Sequence, residues 1–172
     1  MLQVDLRDAK RGPVETRAEL APGDPLFADL DFSLVEPVSV TGRLQATGEE
    51  RYYWHGRLRT VARAECRRCL KEVTLPVSTE IGALFSQEPD AADDPDAYPL
   101  PPDADVVDVT PAVREELILA VPRYVECRPD CKGLCPRCGQ DLNAGPCGCS
   151  PGVDPRWAAL EPLKGKRTDG RT

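Results

Sequence analysis

The 172-residue sequence predicts an α+β fold, a small antiparallel β-meander or barrel-like sheet covered by one main helix and carrying cysteine-rich zinc knuckles. Three observations predict it. Hydrophobicity alternates with period two through successive segments between residues 38 and 85, as in half-buried strands. One segment, 110–121, carries helix-start and helix-stop signals. Eight cysteines stand at 66, 69, 127, 131, 135, 138, 147 and 149, six of them within 23 residues. A chain of this length fits one ordinary domain with a short appended module.

Taken in order, Leu2, Val4 and Leu6 alternate as in an opening strand, and 18–31, with Pro22, Gly23, Asp24 and Pro25, reads as a loop or irregular crossing. Val38, Val40, Gly42, Leu44 and Ala46 form one face of a strand, and Gly48, Glu49 and Glu50 a hairpin turn. Leu58, Thr60, Ala62, Ala64 and Cys66 share the inner face of the next strand, with Arg57, Arg59, Arg63 and Glu65 outside. Val73, Leu75, Val77, Thr79, Ile81, Ala83 and Phe85 repeat the alternation, and Pro76 marks an edge or bulge. Residues 86–109 hold eight acidic side chains, no basic ones and five prolines, and are expected to be a largely solvated acidic loop. Thr110 is expected to cap a helix with Pro111 in its first turn, an apolar stripe of Val113, Leu117, Ala120 and Val121, and a stop at Pro122. That helix covers the apolar face of the meander. Three regions result: a sheet-plus-helix body over 1–126, a cysteine-rich zinc-binding module over 127–163 packed on it, and a basic flexible tail over 164–172. Trp157, Leu160 and Leu163 suit a short helix within the second.

Lysine and arginine number 22 against 29 aspartates and glutamates, a formal charge of −7. With 41% apolar and 30% charged residues, the composition is that of a folded chain. The longest strongly apolar stretch, Leu117 to Val121, is far too short to span a bilayer, which argues against a transporter. Asp5 and Asp8 stand where a secretion signal would carry its apolar core, so a cytoplasmic location without membrane partners is expected.

In a reducing compartment, clustered cysteines point to metal ligation rather than disulfides. Cys66 and Cys69 bracket Arg67 and Arg68 at a turn between strands, a spacing that aims two thiolates at one ion; a redox dithiol uses the same spacing. Cys135-Pro136-Arg137-Cys138-Gly139 is a second such pair, completed eight residues later by Cys147 and Cys149. Cys127 and Cys131 then complete the set opened by Cys66 and Cys69. A cross-braced alternative joins Cys66 and Cys69 to Cys135 and Cys138. All-thiolate ligation leaves no open coordination position, so one or two structural zinc ions are expected; iron–sulfur ligation uses the same ligands.

Little remains for catalysis. His55 is the only histidine, with no partner pattern for a base, and neither a phosphate-binding glycine loop nor a nucleophile elbow occurs. No enzyme and no small-molecule substrate is expected. Residues 42–72 instead carry Arg43, Arg51, Arg57, Arg59, Arg63, Arg67, Arg68 and Lys71 against four acidic residues. Arg43, Arg57, Arg59 and Arg63 on a sheet face, with Arg67 and Arg68 at the knuckle, suit a phosphate backbone, and Tyr53 and Trp54 beside them suit base stacking. The same arginines also suit a solubilising outer face or a protein contact.

The motifs together resemble the YceD family, the bacterial large ribosomal RNA subunit accumulation proteins. The resemblance rests on ECRRCL at Glu65–Leu70, DVTPAVREELILAVP ending at Pro122, CKGLCPRCGQDLN at Cys131–Asn143, the following CGC, and DPRWAAL. It spans the chain from the opening strand to about Leu163. It implies a non-enzymatic role in making or accumulating large-subunit ribosomal RNA, with ribosomal RNA or a large-subunit ribosomal protein as partner. It also implies relatives in plant plastids and members that keep only the first cysteine pair, so that the second knuckle resembles an optional reinforcement.

Overall fold

The computed structural model describes residues 2–149 and Arg156. It divides into two compact units, Met1–Cys131 and Lys132–Thr172. Cys127 and Cys131 fall within the first of these units. Trp157, Leu160, Leu163 and the basic tail lie outside the described residues.

The first unit is built on a mixed six-stranded sheet. Its centre is the expected meander: β4 (Val38–Ala46), β5 (Arg51–Glu65) and β6 (Glu72–Ser86), all antiparallel. Period-two patterning works here because every even position of β5 from Tyr52 to Ala62 and the alternate positions Val77, Ile81, Ala83 and Phe85 of β6 face one core. The β4–β5 hairpin turns at residues 47–50, where the Thr47 amide donates to the Arg51 carbonyl at 2.9 Å.

Further strands extend this frame. β2 (Val14–Leu20) runs antiparallel to β4, and β7 (Ala97–Pro99) runs parallel to β6 beside Leu84–Ser86. β3 (Ser33–Leu34) pairs with Ala62 and Arg63, continuing along β5 past the point where β4 pairing stops at Ser39 and Arg59. The order β2-β4-β5-β6-β7 has two ends, so the sheet is open and the barrel-like expectation is corrected. β7 covers only three residues of β6, which leaves its outer side at Pro76 without a ladder partner among the described residues. An amide-free residue belongs at such an edge.

A second, two-stranded sheet pairs β1 (Gln3–Asp5) with β8 (Val106–Asp108) and brings Leu2, Val4 and Val107 into the core. Between β1 and β2 lies α1 (Leu6–Arg11), capped by Asp5, whose carboxylate accepts from the Arg7 amide at 2.8 Å. The stretch 86–109 is therefore not simply a solvated loop. It supplies β7 and β8 and buries Gln87, Ala91, Val107 and Val109. The Gln87 side-chain amide donates to the Pro101, Pro102 and Ala104 carbonyls, tying the segment back on itself.

α2 (Thr110–Ala120) packs on β6; Val113 and Leu117 of the expected stripe are buried, as is Val121 just beyond the helix, while Ala120 is half-buried and Ala112 joins the buried face. Its first amide is satisfied differently from expectation. The N-cap position falls on Val109, which has no side-chain bond to give, and the Thr110 amide donates to Asp108 Oδ1 at 2.8 Å. Arg114 donates to the carbonyls of Leu26 and Ala28, fixing the chain after a one-turn 3-10 helix (Pro25–Phe27) against α2.

Trp54 belongs to the core, with no exposed surface, which corrects its assignment as a stacking residue. The indole lies flat across two strand glycines: a Cβ at Gly42 would stand 2.6 Å and one at Gly56 2.4 Å from ring atoms. Its Nε1–H donates to Thr16 Oγ1 at 2.9 Å, so the buried polar handle of the ring is satisfied from β2.

Candidate metal centres and the arginine face

The eight cysteines gather into two sets of four, Cys66, Cys69, Cys127 and Cys131, and Cys135, Cys138, Cys147 and Cys149, with all Sγ atoms of a set within 4.8 Å of one another. This is the partition by chain distance; the cross-braced alternative is ruled out. Both turns that open the sets are built alike. In the first, the Cys66 amide donates to Lys71 O and the Leu70 amide to Cys66 O, each at 2.8 Å. In the second, the Cys135 amide donates to Gln140 O at 2.8 Å and the Gly139 amide to Cys135 O at 2.9 Å. The residue after the second cysteine adopts positive φ in both, 74° at Gly139 and 58° at Leu70. Glycine does so freely; a leucine there carries backbone strain, and Leu70 is 58% exposed, so little packing offsets it.

In the first set, Cys66, Cys69 and Cys131 are buried and Cys127 stands at the surface. The Sγ of Cys66 lies 3.9 Å from that of Cys131, and the Sγ of Cys69 3.6 Å from that of Cys127. The turn after β5 is thus held to the segment after α2, and further contacts repeat the join. Arg67 N donates to Val125 O at 2.8 Å, Arg68 Nη1 to Cys131 O at 2.8 Å, and Glu126 accepts from both guanidiniums.

The electrostatics fit a cation. Backbone amides of Cys127, Arg68 and Cys69 draw the Cys66 thiol down to about 6 against the opposing effect of burial, while burial and the hydrogen bond to Cys131 push Cys127 up to about 12. In the second set the amides of Cys138 and Arg137 bring Cys135 down to about 6, and the hydrogen bond to Cys138 together with burial raises Cys149 to about 12. Four sulfurs this close cannot all ionise against one another unless a cation neutralises them. Amides aimed at the sulfurs stabilise the thiolate form that a metal requires. Four soft donors per set suit a tetrahedral d10 ion and leave no position for substrate.

The arginines read as a face do share one. Arg43, Arg57, Arg59 and Arg63 all project from the solvent side of β4 and β5. Their charges are not all free, which the sequence did not reveal. Arg43 pairs with Glu15 at 3.5 Å, Arg57 with Glu80, and Arg63 with Glu72 at 3.8 Å, while Arg67 and Arg68 share Glu126. Arg59 differs: its cross-strand neighbours are Ser39 and Ser78, and no carboxylate pairs with it among the described residues. Tyr53, 37% exposed, leans across Gly82, whose absent side chain leaves room for the phenol: a Cβ there would come within 2.4 Å of Tyr53 Oη.

Fold and site together define a mixed-sheet α+β protein with two four-cysteine sets that could each hold a metal ion. A family model described as Large ribosomal RNA subunit accumulation protein YceD matches residues 54–164, and the chain belongs to this family. An uncharacterized protein of Mycobacterium tuberculosis (strain ATCC 25618 / H37Rv) is 35% identical over 173 residues, covering 96% of this chain and 76% of that one. The uncharacterized protein YlbN of Bacillus subtilis (strain 168) is 31% identical over 137 residues, 77% of each chain. The protein named Large ribosomal RNA subunit accumulation protein YCED homolog 1, chloroplastic, of Zea mays is 26% identical over 140 residues, 64% of this chain and 47% of that protein. No solved structure matches the chain. Among the described residues no helix is long and apolar enough to cross a membrane.

Proposed function

We propose that this protein is a non-enzymatic factor in biogenesis of the large ribosomal subunit, supporting synthesis, processing or accumulation of its ribosomal RNA, and that zinc fills both cysteine sets as a structural ion. Family membership supports the process. The observation that carries the contact surface is the gathering of Arg43, Arg57, Arg59 and Arg63 with exposed Tyr53 on one solvent-facing sheet surface. Cationic side chains position a phosphate backbone, and a flat phenol offers a stacking platform for an unpaired base. Arg67 and Arg68 extend the surface at the first knuckle. Zinc has no chemistry to perform in such a site; it holds the knuckle that presents them.

The test is sedimentation of cell extract with the tagged protein at endogenous level. Co-migration with large-subunit precursor particles, lost for the Arg57→Glu/Arg59→Glu double variant, supports the reading. Absence from every precursor fraction sinks it. A second reading, a structural-zinc module that binds a ribosomal protein without touching RNA, draws on one specific observation: Arg43, Arg57 and Arg63 already have glutamate partners, so the face is close to balanced in charge. In that case recovery of the partner survives nuclease treatment and the double variant leaves it unchanged.

A further inference from the structure

A cleft of about 940 Å3 opens in the first unit between the chain preceding β3, the end of β5, and the segment that follows α2. Its lining is mixed in character. Phe32, Ile118 and Tyr124 give it apolar surface, with Ile118 44% and Tyr124 73% exposed, an unusual degree for such side chains. Around them stand Asp29, Asp31 and Glu65, all exposed and without an ion pair among the described residues. The remaining charges on the lining are Glu72, paired with Arg63, and Arg123, so carboxylates outnumber guanidiniums four to two.

Both walls are held in place. Arg114 fixes the carbonyls of Leu26 and Ala28 just before Asp29, and the Arg67 amide holds Val125 O at 2.8 Å just after Tyr124. A preformed cleft loses less entropy on binding than one that must be ordered. β3 pairing along β5 ends at Ser33 and Arg63, so Ala64 and Glu65 border the cleft on the side where β5 has no further β3 partner.

We propose that this cleft docks an extended, cationic segment of a partner protein, with lysine or arginine side chains against Asp29, Asp31 and Glu65 and an apolar side chain against Phe32, Ile118 and Tyr124. Charge complementarity selects the occupant. A phosphate backbone would face three unpaired carboxylates at close range, whereas a basic peptide neutralises them. The cleft meets the arginine face only at Arg63, whose charge is paired with Glu72, and the proposal does not rest on the RNA reading of that face.

The test uses the full-length metal-loaded protein, labelled with nitrogen-15, and three probes: a nonapeptide alternating lysine or arginine with leucine, the same peptide with aspartate and glutamate replacing its basic residues, and a single-stranded RNA 12-mer. The basic peptide is expected to shift the amides of Asp31, Ser33, Glu65, Ile118 and Tyr124, and the acidic peptide and RNA to leave them in place. Asp31→Lys/Glu65→Lys is expected to weaken peptide binding about tenfold or more at low ionic strength. Ile118→Ser, with the charges intact, is expected to weaken it about fivefold through lost apolar contact. Equal shifts with the acidic peptide, shifts centred on other residues, affinity unchanged in both variants, or RNA bound in the cleft would each overturn the proposal.

Discussion

Replacing Cys66 and Cys69 by serine should destabilise the first unit far more than replacing Cys147 and Cys149, because of what each centre closes. In the first, Cys69 and Cys127 are 58 positions apart in sequence, and a metal held there would pin the turn after β5 to the segment after α2. Treated as a cross-link that removes loop-closure entropy from the unfolded chain, a ring of that size contributes about 4 kcal/mol. The second centre spans only eight residues between Cys138 and Cys147, and the same relation gives about 2.5 kcal/mol, confined to the second unit. For a unit of this size, 4 kcal/mol corresponds to roughly 10–16 °C in Tm. Buried Trp54, hydrogen-bonded to Thr16, reports the first unit by fluorescence once the other tryptophan is removed by Trp157→Phe. In that background Cys66→Ser/Cys69→Ser is expected to lower the Trp54 transition by this amount, and chelation under reducing conditions to do the same to the parent. Cys147→Ser/Cys149→Ser should leave the transition within about 0.5 kcal/mol of the parent, the range for changes distant from the reporting core. Equal effects of the two double variants, or no effect of either, would refute the assignment of separate centres with different structural reach.

Gly56→Ala puts a Cβ 2.4 Å from the Trp54 ring, and overpacking of a filled core is expected to cost about 1–3 kcal/mol, read as a lower urea midpoint at unchanged slope. Leu70→Gly removes a strained positive φ at an exposed position and should raise stability by about 0.5–1 kcal/mol, with a slower release of metal to a chelator; a loss of stability would contradict the matched-knuckle reading. The hydrogen bond and charge of Arg7 hold Asp5 at about 2 against an ordinary 3.8. Its cap on α1 therefore contributes fully above about pH 4 and is lost as pH falls through 2; a carboxyl titration by NMR that returns 3.8 or higher contradicts this.

The legible parts of the fold are those whose pattern is local. Leu58, Thr60 and Ala62 against Arg57, Arg59 and Arg63 gave away the two sides of β5, and the same parity carried back to Tyr52 and Trp54 places both inside. The residue types, aromatics beside arginines, suggested a surface role that parity contradicts. β2 is harder to see because the middle of its inward face, between Val14 and Leu20, is Thr16 and Ala18, small or polar residues of which Thr16 bonds the buried Trp54 indole. β8 pairs with β1 across about a hundred residues, and no local signal in an aspartate- and proline-rich stretch encodes so distant a pairing. The metal sets were readable because ligation needs few residues at short spacing; loop length separated the two sets. Glu15, Glu80 and Glu126, which neutralise Arg43, Arg57 and Arg67, come from β2, β6 and the segment after α2, so the sum of charges along 42–72 overstated the positive potential of the face.

Metal content tests the account most directly. Native mass spectrometry of the full chain, purified in reducing buffer without chelator, should show two zinc ions and no disulfide, and one ion for Cys147→Ser/Cys149→Ser. A folded parent that carries no metal, or an iron–sulfur absorption band in its place, would contradict it.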